Sequence, residues 1–183
     1  MMGIRAMGWA AALAAGMVCM APAAWAVDYP GRKALSVRVA DAIVTQSVDG
    51  DIEGKSGFVA AVGGNWVLNP RFVLGLDFER ERHTLRLHGD GVGSVVTVAV
   101  VPTIEFHLPP SKAGRLSPYG TLGLGYNRNS HAAGNDLGLR FGVGIDFIGM
   151  DKAVVNLEAV YRRNDADLNL TGLLIMGGIR YFL

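Results

Sequence analysis

The sequence predicts an all-β fold, an eight-stranded antiparallel transmembrane β-barrel of up-and-down meander order, and three observations carry that prediction. Hydrophobic side chains recur at every second position through most of the chain, the period of a strand with one apolar and one polar face. Tight turns alternate with longer polar stretches between these runs, as in a barrel with short turns at one rim and loops at the other. The first residues carry the marks of a secretory leader.

That leader spans residues 1–26. It holds one charge, Arg5, then an apolar run from Trp9 to Met20 and a small-residue cleavage site at Ala24-Trp25-Ala26, the three parts of a signal peptide. Its removal leaves one domain at 27–183 and takes away Cys19, the only cysteine, so the exported chain has neither thiol chemistry nor a disulfide staple. Without Arg5, 16 Lys plus Arg face 16 Asp plus Glu, a balance that excludes the strongly basic surface of a nucleic-acid binder. No run of 18 apolar residues follows the leader, so no transmembrane helix is expected. Glycine supplies 22 of the 157 remaining residues, about twice its usual share. Collagen-like periodicity and disorder-like composition are both missing, so these glycines belong to folded structure.

Alternation is clearest from Leu137, where Leu137, Leu139, Phe141, Val143, Ile145 and Phe147 oppose Gly138, Arg140, Gly142, Gly144 and Asp146. From Val96 the same pattern sets Val96, Val98, Val100, Pro102, Ile104 and Phe106 against Thr97, Ala99, Val101, Thr103, Glu105 and His107; Pro102 removes one ladder donor from this strand. Phe72, Leu74, Leu76 and Phe78 oppose Gly75, Asp77 and Glu79. Val155, Leu157, Ala159 and Tyr161 oppose Asn156, Glu158 and Arg162, and Leu173, Ile175, Ile179 and Tyr181 oppose Gly178 and Arg180. Less regular strands are expected over 35–42, 58–68 and 118–127. Asn69-Pro70, Gly149-Met150-Asp151 and the moderate segment 109–116 are the turns; 43–56, 84–93, 128–136 and 164–168 are the loops.

A soluble eight-stranded barrel would show the same periodicity with its faces exchanged. The membrane form is favoured because the polar parity holds glycines and charges of both signs: Arg38, Asp77, Glu79, Glu105, Arg140, Asp146, Glu158, Arg162 and Arg180. The apolar parity is built of large side chains, with aromatics near strand ends at Tyr119, Tyr126, Phe147, Tyr161 and Tyr181, where an interfacial girdle belongs. An eight-stranded interior is just wide enough for side chains to fill, so acids and arginines are expected to pair nearly one to one and plug the lumen, since unpaired buried charges are costly. Inward glycines at Gly123, Gly125, Gly138, Gly142 and Gly144 leave room for the arginines. The final segment, Ile179-Arg180-Tyr181-Phe182-Leu183, is similar to the terminal strand that the outer-membrane insertion machinery reads.

From Thr97 onward the chain resembles the OmpW family of small outer-membrane proteins. The resemblance rests on Pro102-Thr103-Ile104-Glu105-Phe106-His107-Leu108, on Arg115-Leu116-Ser117-Pro118-Tyr119, on the glycine-spaced segment Gly120 to Tyr126, and on Gly177-Gly178-Ile179-Arg180-Tyr181-Phe182. Ser56-Gly57-Phe58 and Trp66 to Leu74 are similar to the family's second and third strands. It implies a location in the cell outer membrane, contact with outer-membrane lipid, and a narrow apolar passage with a lateral exit for small hydrophobic molecules. The charged lumen of the middle strands argues against a long continuous apolar channel.

Two other classes are weighed beside this one. A structural or surface-interaction barrel would have a plugged lumen and loops that bind a partner. A lipid-modifying enzyme would need a nucleophile, a base and a carboxylate near one rim; the nearest set is Ser94, His83 and Glu81. None of His83, His88, His107 and His131 has Ser two positions on, so catalysis is not expected. No histidine pair has a metal-site spacing, and neither a cofactor nor a metal is expected. The glycine-rich stretch Gly89 to Gly93 lacks the helix and lysine of a phosphate cradle and reads as a hairpin loop.

Overall fold

The computed structural model describes residues 32–46, 52–87, 90–111, 115–129, 135–148, 152–164 and 171–183; the leader at 1–26 lies outside them. Eight strands make up the fold: β1 (Lys33–Gln46), β2 (Ile52–Asn69), β3 (Phe72–Leu87), β4 (Asp90–His107), β5 (Leu116–Asn129), β6 (Asn135–Ile148), β7 (Ala153–Asn164) and β8 (Thr171–Phe182). Each pairs antiparallel with its sequence neighbours and β8 closes on β1, which leaves no sheet edge exposed.

Following one row of paired residues round the wall gives the geometry. From Lys33 it runs through Trp66, Leu74, Ile104, Leu122, Phe141, Tyr161 and Leu173 and returns to β1 at Ile43, ten residues from its start. With ~3.3 Å per residue and ~4.8 Å between strands, a stagger of ten over eight strands tilts each strand by about 40°.

Alternation sorts the side chains as the periodicity requires. Leu35, Val37, Val39, Leu74, Leu76, Phe78, Leu122, Leu124, Leu139, Val143, Leu157 and Ile179 are exposed on the outer wall, while the opposite parity is buried inside. The apolar band on β1 runs from Lys33 to Asp41, both exposed; at the tilt above, that length spans about 20 Å of height, near the ~25 Å outer band of such barrels. Trp66, Phe72, Phe106, Phe147 and Tyr181 ring the turn end of the band, and Lys33 Nζ lies 5.0 Å from the Trp66 ring there. Phe58, Phe78, Tyr126, Phe141 and Tyr161 lie toward the loop end, the last two with ring centroids 5.0 Å apart. Tyr119 departs from expectation: it has the inward parity, is buried, and stacks on His107 at 5.0 Å.

The β2–β3 turn closes with Asn69, whose Oδ1 accepts N–H bonds from Arg71 at 2.8 Å and Phe72 at 3.0 Å, the local bond that makes Asn a turn former. At the loop end the strands outrun the sequence expectation. β3 continues to Leu87 and β4 already begins at Asp90, so most of 84–93, including Asp90 to Gly93 of the glycine-rich stretch, is hairpin ladder. Backbone pairing of β3 with β4 persists there although hydrophobic alternation does not mark it. Hydrogen bonding, not periodicity, sets the end of a strand there.

Candidate functional site

The candidate site is the barrel interior, which among the described residues holds two apolar clusters and a set of charges. Ala34, Val67, Val73, Val154 and Phe182 pack together near the turn rim. Ala40, Ala42, Val59, Ala61, Val160, Leu174 and Met176 form a second cluster nearer the loop rim, on β1, β2, β7 and β8. Polar residues occupy the level between them and the facing wall.

All nine residues of the expected lumen set are inward and buried. Arg38 pairs with Asp77 and donates from Nη1 to Glu158 Oε2 at 3.2 Å. Arg140 engages both carboxylate oxygens of Glu79, the Nη2–Oε2 leg at 2.5 Å. Arg180 Nη2 donates to the two oxygens of Glu105 at 2.6 and 2.8 Å, and Nη1 stands 3.5 Å from Asp146. Arg162 pairs with Glu81. Each contact crosses the lumen between non-adjacent strands, bracing the wall across its width. Charge-assisted forked bonds of this kind satisfy ions that would otherwise be costly to bury.

The expected set holds five acids and four arginines, and the structure adds a sixth buried acid, Glu81. His107 and Tyr119 join the arginines as partners of the carboxylates. His107 Nε2 lies 2.9 Å from Glu105 and its Nδ1 3.9 Å from Asp146, while the Tyr119 hydroxyl donates to Glu158 at 3.4 Å. Sequence reasoning placed Glu81 only in the catalytic set, although its parity with Asp77 and Glu79 was the available signal. The three-residue catalytic set is not assembled: Glu81 is inward and tied to Arg162, whereas Ser94 pairs with Thr84 and carries the opposite parity to its inward neighbour Val95. The His83 side chain, His88 and His131 lie outside the described residues. No cluster of potential metal ligands occurs among the described residues.

Glycine makes the close packing possible. A Cβ on Gly178 would strike the Arg38 side chain, one on Gly63 the Asp77 carboxylate, and one on Gly144 the Tyr119 ring. Parity places Gly144 and Gly178 on the inward face, whereas Gly63 was not singled out. Gly123 packs under Thr103 and Val101, and Gly125 against Asn127, so these two make room for neutral side chains.

The wall itself holds the second feature. Pairing of β4 with β5 runs from Thr97↔Asn129 to Val100↔Tyr126, lapses at Val101 and Pro102, and resumes in the same register at Thr103↔Gly123. Pro102 has no N–H for the ladder, and the register sets Gly125 and Leu124 opposite the lapse. On its inner side lie Ala99, Val101, Gly123 and Gly125. An apolar groove of about 660 Å³ begins two residues from the lapse toward the turn rim, its lining including Ile104, Phe106, Gly120, Leu122, Val143 and Ala159. Gly120 and Ala159 leave the depression that larger residues would fill.

Comparison with known proteins agrees with this architecture at the level of fold. No family model and no curated protein matches the chain. Among solved structures, the outer-membrane protein OprG from Pseudomonas aeruginosa is similar with a TM-score of 0.70 at 14% identity, over 85% of this chain and 97% of that one. Neisserial surface protein A is similar at 0.61 and 12% identity, over 81% and 96%. The attachment invasion locus protein Ail of Yersinia pestis gives 0.56 at 18% identity, over 85% and 100%. The chain thus has the closed eight-stranded architecture of small outer-membrane barrels.

Proposed function

We propose that the protein is an outer-membrane conduit for small hydrophobic molecules, in keeping with its OmpW resemblance, and that solutes leave it sideways between β4 and β5. The observation that carries this reading is the lapse in the β4–β5 ladder at Pro102. The cluster formed by Ala42, Val59, Leu174 and Met176 is packed beside the Arg162–Glu81 pair, so an apolar solute entering from the loop rim passes when that packing opens. Below it, the Arg38, Glu105 and Arg180 ion pairs bar an apolar molecule from continuing to the turn rim. The seam at Val101, Gly123 and Gly125 is the small-residue way out, and the groove beside Ile104 and Leu122 receives what leaves. The lumen charges act as a structural plug, and no catalysis is assigned.

Reconstitution tests the reading. In vesicles with a lipopolysaccharide outer leaflet, the folded barrel speeds uptake of a hydrophobic dye over empty vesicles. Pro102→Ala, which returns an N–H to the ladder, slows that uptake severalfold. Uptake no faster than in empty vesicles would sink the conduit and leave the plugged structural barrel, with its loops as an interaction surface.

A further inference from the structure

The third strand breaks the outer-face pattern in a way that neither the conduit nor the plug uses. Phe72, Leu74, Leu76 and Phe78 face outward, and the same parity then continues as Arg80 and Arg82, both exposed. On β5 the outward series Leu122, Leu124 and Tyr126 ends in exposed Arg128. Register brings the three together. Arg80 and Arg128 flank Val98 from its two sides, and Arg82 stands across from Val96. With strands ~4.8 Å apart, Arg80 and Arg128 are about 10 Å apart at Cα, with Arg82 about 7 Å further up β3 from Arg80.

None of the ion pairs found among the described residues involves Arg80, Arg82 or Arg128, whereas the buried arginines of the lumen are all engaged. Among the acids with described outward side chains, the nearest in register, Asp41, is separated from Arg82 by the Phe58 strand. Three guanidinium groups with no ion-pair partner among the described residues therefore sit beside half-exposed Val98 and next to the apolar Leu124 and Tyr126 side chains. Cations on the lipid-facing wall are tolerated only at headgroup height, and guanidinium forks match phosphate geometry.

We propose that Arg80, Arg82 and Arg128 form a docking site for the phosphate of an anionic lipid in the leaflet at the loop rim, whose acyl chains lie along Val98, Val100 and Leu124. The proposal rests on the membrane placement of the barrel but not on its conducting anything. Three cations at the lipid surface attract phosphate headgroups, and the apolar surface below them selects a phosphate that carries chains over a free one.

The test uses the full folded barrel in phosphatidylcholine nanodiscs doped with phosphatidic acid, followed by counting retained phosphatidic acid on the released protein by native mass spectrometry. Wild type retains it at least tenfold over an Arg80→Gln, Arg82→Gln, Arg128→Gln variant, an Arg-to-Lys triple retains part of the difference, and Lys33→Gln at the opposite rim changes nothing. Inorganic phosphate at equal concentration fails to displace the lipid. Equal retention by wild type and the glutamine triple overturns the proposal, as does displacement by inorganic phosphate alone. Heat-modifiable migration in a gel confirms that each variant is folded. Dye uptake by the triple in vesicles without anionic lipid stays at the wild-type rate, which separates failure here from failure of the conduit.

Discussion

Replacing Arg180 with methionine removes the cation that two carboxylates share. Arg180 is 2% exposed, holds both oxygens of Glu105 at 2.6 and 2.8 Å, and stands 3.5 Å from Asp146. Methionine keeps similar bulk but leaves His107, 2.9 Å from Glu105 and 3.9 Å from Asp146, as the partner that both acids share. Breaking a buried pair from one side costs ~3–5 kcal/mol, and His107 keeps the loss toward the lower end. Adding Glu105→Gln removes one of the stranded charges. The double variant should then recover about 2 kcal/mol relative to Arg180→Met alone, a coupling within the range of contacting residues. Urea unfolding of the vesicle-inserted barrel, followed by fluorescence of Trp66, reads these differences. A loss under ~1 kcal/mol for Arg180→Met, or a double variant as unstable as the two singles combined, refutes the assignment of this pair as an internal brace.

Further outcomes follow from the same wall and packing. Gly178→Val displaces the Arg38 side chain and costs about 1–3 kcal/mol by overpacking, whereas Gly177→Ala and Gly64→Ala, with open space at their Cβ positions, stay within about 0.5 kcal/mol in the same unfolding assay. Val37→Arg, in the middle of the outer band, costs ~2–4 kcal/mol, and Ile43→Arg, past Asp41 toward the loop rim, ~0–1 kcal/mol. Equal costs at the two sites would contradict the placement of the band. Phe182→Ala opens the apolar cluster at the turn rim and costs ~3–5 kcal/mol.

Legibility in the sequence follows the surroundings of each segment. The run from Leu137 to Phe147 alternates cleanly because one parity meets lipid and the other the lumen. Ile52 to Ser56 and Leu85 to Gly93 do not alternate in that way, yet they lie largely within β2, β3 and β4. Parity also gathers the charged lumen residues. Partners are another matter, because Arg180 reaches Glu105 from β8 to β4 and Arg38 reaches Glu158 from β1 to β7. Such pairs depend on the ten-residue stagger of the closed wall, which no local pattern encodes. Tyr119 looked like a girdle aromatic because it sits near a strand end, but it shares its parity with Gly123 and stacks inside on His107. Pro102 was visible as a missing donor; that its loss falls on the β5 side, beside glycines, emerges only from the register.

A reversible clasp across the β4–β5 seam tests the lateral exit most directly. Val101 and Gly125 share the inward parity and stand opposite each other in the register where pairing lapses, and facing Cβ positions on neighbouring strands lie ~4.5–5.5 Å apart, within small adjustment of a disulfide. In a Cys19→Ser background no other cysteine competes. The Val101→Cys, Gly125→Cys barrel, reconstituted under a lipopolysaccharide leaflet, should take up hydrophobic dye at the rate of empty vesicles when oxidised and regain rapid uptake when reduced. Rapid uptake through the oxidised, cross-linked barrel would contradict passage between β4 and β5.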